Sequence, residues 1–190
     1  MIIIGITGTL GSGKGTVVEY LKEKYGFKHY SASDFLKQEI ARRGIEENRD
    51  NMRIVADDLR AKYEPSYVIE QLYKQAITDK EEHPRAVIES IRSIGEAKFL
   101  KNQSEPFFLF AVDADPKIRY ERIIGRKSTK DSVTFEEFVE DEQLEMNNAD
   151  PHKMNLIGCM KLANKTILNN SDVKALHTEI DVAVREILFN

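Results

Sequence analysis

A single cysteine, Cys159, in a chain of 190 residues leaves no partner for an internal disulfide. Set in an apolar stretch, it reads as a small buried hydrophobe. Histidine is scarce too: His29, His83, His152 and His177 are scattered without metal-ligand spacing. No apolar run could span a membrane; the opening MIIIGITGT is too short and lacks the charged leading segment of a signal peptide. With neither secretion signal nor disulfide, the expected location is the cytoplasm, with no membrane partner. There is no basic excess either. The net charge is -4, with Lys and Arg spread along the chain, which excludes the footprint of a general nucleic-acid binder and leaves room for a local phosphate pocket. No repeat or low-complexity linker divides the sequence. What is present, 41% hydrophobic and 32% charged residues, suits one folded domain with a sizeable core.

Short apolar runs alternate with helical patterns. Strands are expected over residues 1–7, 27–30, 85–89, 106–112 and 165–169. Helices are expected over 16–25, 34–43, 49–61, 65–78, 93–102, 115–126, 135–146, 151–163 and from 172 onward. Thr134 and Glu137 form a capping box ahead of the 135–146 helix, and residues 127–132 read as a polar, mobile loop. The stripe along 173–187 reads as core packing rather than a dimer seam, leaving monomer and homodimer both open. Buried strands alternating with helices imply an α/β fold, a five-stranded parallel sheet covered by helices on both faces. In such sheets ligands sit beyond the carboxyl ends of the strands, here after Thr7, Tyr30, Glu89, Val112 and Asn169.

The strongest signal follows the first strand: Gly8, Thr9, Leu10, Gly11, Ser12, Gly13, Lys14, Gly15 and Thr16. Four glycines let backbone N–H groups wrap a phosphate that side chains would exclude, the next helix adds its positive N-terminal end, and Lys14 supplies a cation for the outer phosphates. This is a P-loop, and it implies ATP, or a close relative, as a ligand.

The order Gly-Lys-Gly-Thr at 13–16 resembles that of adenylate kinases. Over nearly its whole length the chain resembles the nucleoside monophosphate kinase group, closest to its small adenylate-kinase-related archaeal members, and is similar to the P-loop domains fused to some deoxycytidylate deaminases. That resemblance implies a P-loop NTPase fold with small helical acceptor-binding and lid segments. The core would be 1–33, 84–126 and 151–190, the acceptor-binding segment 34–83 and the lid about 127–150. It also implies ATP with Mg²⁺ held mainly by phosphates and water, and a phosphate contact from Thr16. Ser31-Ala-Ser-Asp-Phe-Leu-Lys37 resembles the segment facing the acceptor, which points to Asp34 and Lys37; Asp34 reads equally as a helix cap. Ile88-Glu-Ser-Ile-Arg-Ser93 resembles the family's Asp-Gly-x-Arg, with Glu89 orienting metal-bound water, Ser90 in the glycine position and Arg92 gripping the acceptor phosphate. Asn169 would lie near the adenine.

Residue spacing adds further candidates. Arg49, Arg53 and Arg60 share a helix face; Arg53 and Arg60 read as acceptor-pocket residues and Arg49 as part of a solvated face. Arg119, Arg122 and Arg126 share another face, where lid arginines would neutralise charge in phosphoryl transfer. The six acidic residues of 136–145 read as a solvated lid helix. The expected function is transfer of the γ-phosphoryl group of ATP to a nucleoside monophosphate, with Lys14, Arg92, Arg122 and Arg126 catalytic and small nucleotides as partners. Two alternatives stand beside it: phosphorylation of a hydroxyl, as in dephospho-coenzyme A kinase, with Asp34 as base, and a nucleotide sensor without turnover.

Overall fold

The computed structural model describes residues 1–125 and 134–188. Arg126 and the polar loop at 127–132 therefore lie outside the described residues. Five parallel strands form one sheet in the order β2-β3-β1-β4-β5. They are β1 (Ile2–Gly8), β2 (Lys28–Ser31), β3 (Arg85–Glu89), β4 (Phe107–Asp113) and β5 (Lys165–Leu168). Isoleucines 3, 4 and 6 of β1 are all buried, which is why that strand reads as an unbroken apolar run instead of an alternation.

Helices cover both faces and complete a doubly covered α/β fold. On one face α1 (Lys14–Tyr25) and α9 (Val173–Leu188) bury Val17, Val18, Leu21, Leu176, Ile180 and Val184 against Ile4, Ile6 and Phe110. The α9 stripe is thus core from Leu176 to Val184, while Val173 at its start is exposed. On the other face lie α2 (Ala32–Arg43), α3 (Arg49–Lys62), α4 (Tyr67–Thr78), α5 (Ile94–Lys101) and α8 (Leu156–Lys161), packed over Ile3, Ile88 and Leu109. Cys159 of α8 is fully buried there. The remaining helices, α6 (Pro116–Gly125) and α7 (Phe135–Met146), follow β4.

Local chemistry sets the boundaries. Ser31 accepts a hydrogen bond from the Asp34 N–H and starts α2 two residues earlier than expected. Asn155 caps α8 in the same way, so the helix expected over 151–163 spans only six residues. The Thr134–Glu137 capping box forms as its sequence requires, and α7 occupies the expected 135–146.

Topology fixes where a ligand goes. From β1 the sheet grows through β3 to β2 on one side and through β4 to β5 on the other. The crevice beyond β1 is therefore the switch point of the sheet, and the glycine-rich loop leaves β1 directly into it.

Candidate functional site

The loop from Gly8 to Lys14 is shaped by three left-handed glycines, Gly8, Gly11 and Gly13, with φ of 134°, 76° and 96°. A Cβ on Gly8 would stand 1.9 Å from the Val112 carbonyl, so the turn needs glycine for close approach as well as for its dihedral. Ser12 braces the turn by donating to the Thr9 carbonyl at 2.9 Å, and the Thr9 hydroxyl donates to Asp113 at 2.6 Å. Lys14 folds over the loop, donating to the carbonyls of Gly8 at 3.0 Å and Thr9 at 2.7 Å. Around this cradle lies a cleft of about 670 Å³ lined by Gly11, Gly13, Lys14, Gly15, Thr16 and Glu89 among others.

Glu89 closes the end of β3, 3.1 Å from the His29 Nε2. Burial alone would push its carboxyl up; the His29 contact and the charges of Lys14 and Arg92 outweigh burial and hold it below the ordinary glutamate value. It therefore stays ionised in the cleft. Ser90 follows with φ of 70°, the one non-glycine residue with positive φ among the described residues. The position that resembles a glycine in the kinase pattern thus has a glycine's backbone, occupied by serine.

A second pocket of about 160 Å³ opens beside the cleft, between α2, α3 and the β3–α5 turn. Arg49, Arg53, Arg60 and Arg92 line it together with apolar Leu36, Met52, Ala56 and Val68. Leu10, Ser33, Ser90 and Arg92 line both spaces, so the two sites adjoin at Arg92.

Several sequence expectations change here. Asp34 and Lys37 line neither space; they pair with each other at 3.4 Å on the exposed side of α2, where Asp34 borders a separate groove with His29 and Asp79. Helix rotation explains this: α2 turns Ser33 and Leu36 toward the pocket and carries residues 34 and 37 away from it. Arg60 does reach the pocket wall, but its guanidinium is committed to Glu96 at 2.9 Å, a partner that also accepts the N–H groups of Arg92 and Ser93. It holds the β3–α5 turn in place. Asn169 is buried and donates to the Ser12 carbonyl at 2.8 Å, so it props the P-loop from behind. Arg119 is buried as well, donating to the carbonyls of Ala114 and Leu10 and pairing with Glu142. Arg122 reaches Asn169 at 3.4 Å, and its Nη1 is buried without a partner among the described residues.

Three residues were missed. Asp113 anchors Thr9; its signal was its place at the carboxyl end of β4. Arg49 was read as a solvated residue, yet it lines the pocket and pairs with Glu145. Glu145 lies in the acidic helix expected to be solvated. In the structure Glu142 and Glu145 of that helix turn inward, onto Arg119, Arg92 and Arg49. Nothing in local spacing foretells pairs so far apart in sequence.

These features can be set against known proteins. A profile described as AAA domain matches residues 7–139. A UPF0200 protein of Methanococcus maripaludis is 33% identical over 147 residues, covering 77% of this chain and 79% of its own. The chain belongs to the AAA domain family and to the UPF0200 proteins. A second UPF0200 protein, from Methanocaldococcus jannaschii, is 28% identical over 190 residues, spanning 100% of this chain and 92% of its own. The shikimate kinase of Acinetobacter baumannii, solved with shikimate, superposes with a TM-score of 0.60 at 15% identity, over 99% of this chain and 93% of that one. At that identity the likeness is one of fold: this UPF0200 chain has the architecture of a small P-loop kinase.

Proposed function

We propose that the chain is a phosphotransferase that moves the γ-phosphoryl group of ATP to a nucleoside monophosphate. The observation that carries this reading is that a glycine-built phosphate cradle and an arginine-lined pocket adjoin, with Arg92 the one cation among the residues that line both. A kinase needs donor and acceptor phosphates in line and within reach of shared cations. Arg49, Arg53 and Arg92 supply charge for an acceptor phosphate, and Leu36, Met52, Ala56 and Val68 supply an apolar wall for a base.

The chain's own groups divide the work as follows. Loop N–H groups and Lys14 hold the donor's outer phosphates. Arg92, between the two spaces, and Arg122, whose buried Nη1 has no partner among the described residues, supply positive charge where it develops in transfer. An acceptor phosphate is ionised near pH 7, so no residue needs to remove a proton from it. The ionised Glu89 beside the cradle suits a hard cation carried by the nucleotide: through water, Glu89 would hold Mg²⁺, which when bound offsets phosphate charge, while the Thr16 hydroxyl is left for a phosphate. Residues 34–83 form the acceptor side in this reading, and α7 the described part of the lid.

A second reading is favoured by Glu89. If the acceptor is a hydroxyl, as in dephospho-coenzyme A, a base is needed, and Glu89 rather than the outward-facing Asp34 stands in the cleft. The test is a panel: γ-labelled ATP or GTP with Mg²⁺, each ribo- and deoxynucleoside monophosphate, and dephospho-coenzyme A, with Lys14→Ala as control. Label in one nucleoside diphosphate, lost in the variant, supports the proposal. Label in dephospho-coenzyme A alone moves the assignment to the hydroxyl acceptor. Nucleotide binding with no transfer to any acceptor defeats both and leaves a sensor.

A further inference from the structure

The acceptor pocket holds a carboxylate of the chain's own. Glu145, in the last turn of α7, has a side chain only 6% exposed. One of its oxygens accepts from Arg92 at 2.6 Å and the other from Arg49 at 3.1 Å. Two arginines on opposite oxygens of one anion is the arrangement that recognises a phosphate monoester. Nor is the position one that a helix favours for its own sake. The last turn of α7 carries no basic residue, and a carboxylate there opposes the negative end of the helix dipole. Burial also disfavours the charge, and the fields of Arg92 and Arg49 overcome it, keeping Glu145 ionised. The carboxylate thus sits in its place because of the two arginines. Elsewhere α7 is anchored independently, by fully buried Phe138 and by the Glu142–Arg119 pair.

We propose that Arg49 and Arg92 together form the anion subsite of the acceptor pocket, and that Glu145 occupies it as a placeholder until a phosphate monoester displaces it. This rests on the reading of that pocket as the acceptor site. The placeholder has two effects. It keeps the paired arginines from repelling each other across an empty pocket. It also sets a threshold: a tethered monoanion yields to a dianionic phosphate monoester and resists singly charged phosphodiesters and carboxylates. Arg49 becomes a specificity residue, and α7 reports on acceptor binding through the freed Glu145.

Calorimetric titration of the full chain with AMP and with inorganic phosphate, comparing wild type with Glu145→Gln, tests this. The amide keeps the shape and removes the competing charge, so both anions should bind about tenfold tighter to the variant, within the usual range of coupling between sites. Arg49→Ala and Arg92→Ala should each abolish that gain. In the wild type, without any substitution, hydrogen exchange in the last turn of α7 should rise when phosphate is added. Equal or weaker binding by Glu145→Gln, with exchange in α7 unchanged, overturns the placeholder while the acceptor site stands. No binding of either anion to either protein overturns the placeholder together with the acceptor reading.

Discussion

Gly15→Ala and Gly13→Ala separate a glycine that the P-loop can spare from one that it needs. Gly15 lies in the first turn of α1, has no left-handed φ, and an added Cβ there meets nothing within 4 Å. On stability alone the glycine is a poor choice: alanine in its place should stabilise the helix by about 0.5–1 kcal/mol, through lower unfolded-state entropy and better propensity. For a chain of this length that raises Tm by roughly 1–4 °C. The same open space is the phosphate cleft, which Gly15 lines. P-loops commonly carry Ser or Thr directly after the lysine, so the cradle has room for a Cβ at this position. ATP affinity should therefore stay within about threefold of wild type, a difference of under about 0.7 kcal/mol. Thermal melts with and without ATP·Mg²⁺, with calorimetric titration, read both quantities. Gly13→Ala is the contrast: its φ is 96° and its Cβ would stand 2.3 Å from the Asn169 Nδ2, so stability and binding should fall together. A Gly15→Ala protein that melts lower or loses ATP binding, or a Gly13→Ala protein that keeps both stability and binding, refutes the assignment of these two glycines.

Two further outcomes follow from groups at the site. Ser90→Gly should relieve the strain of a serine held at φ 70°, raising stability by up to about 1 kcal/mol in urea unfolding, since glycine takes that conformation without cost from a Cβ; a loss of stability would show that the Ser90 side chain contributes more than its backbone costs. Glu145 and Glu89 are both held below the ordinary glutamate value. Their contribution is therefore present above the unfolded value of about 4.3 and is lost as pH falls through their lower folded values. Unfolding free energy should hold steady from neutral pH to about 5 and decline below that, less steeply in Glu145→Gln; identical acid limbs for the two proteins would contradict the pairing of Glu145 with its arginines.

Much of the fold is written in local pattern. The run Ile2–Gly8 and the glycines after it place the central strand and the cradle, and Thr134 with Glu137 sets the start of α7. Glu89 and Arg92 line the cleft because one ends a buried strand and the other lies in the turn that follows it. What local pattern does not carry is how a helix is turned about its axis and what its charges meet. Asp34 and Lys37 match the acceptor segment in order, yet α2 faces them outward, and their i, i+3 spacing lets them satisfy each other. Arg60 shares a face with Arg53, but its buried partner, Glu96, lies 36 residues on. The acidic run of α7 looked like a solvated face because its cations, Arg49, Arg92 and Arg119, come from three other segments. Pairings of this kind arise only when tertiary packing brings the segments together.

In the proposed transfer, cradle and arginine pocket are two halves of one site, adjoining at Arg92. A dinucleoside polyphosphate, two nucleosides linked through five phosphates, tests it most directly, because only adjoining donor and acceptor pockets can hold both ends at once. One such molecule should bind per chain, competing with ATP and with a nucleoside monophosphate alike, and bind more weakly after Arg92→Ala. Competition with ATP alone, or two molecules bound per chain, would contradict it.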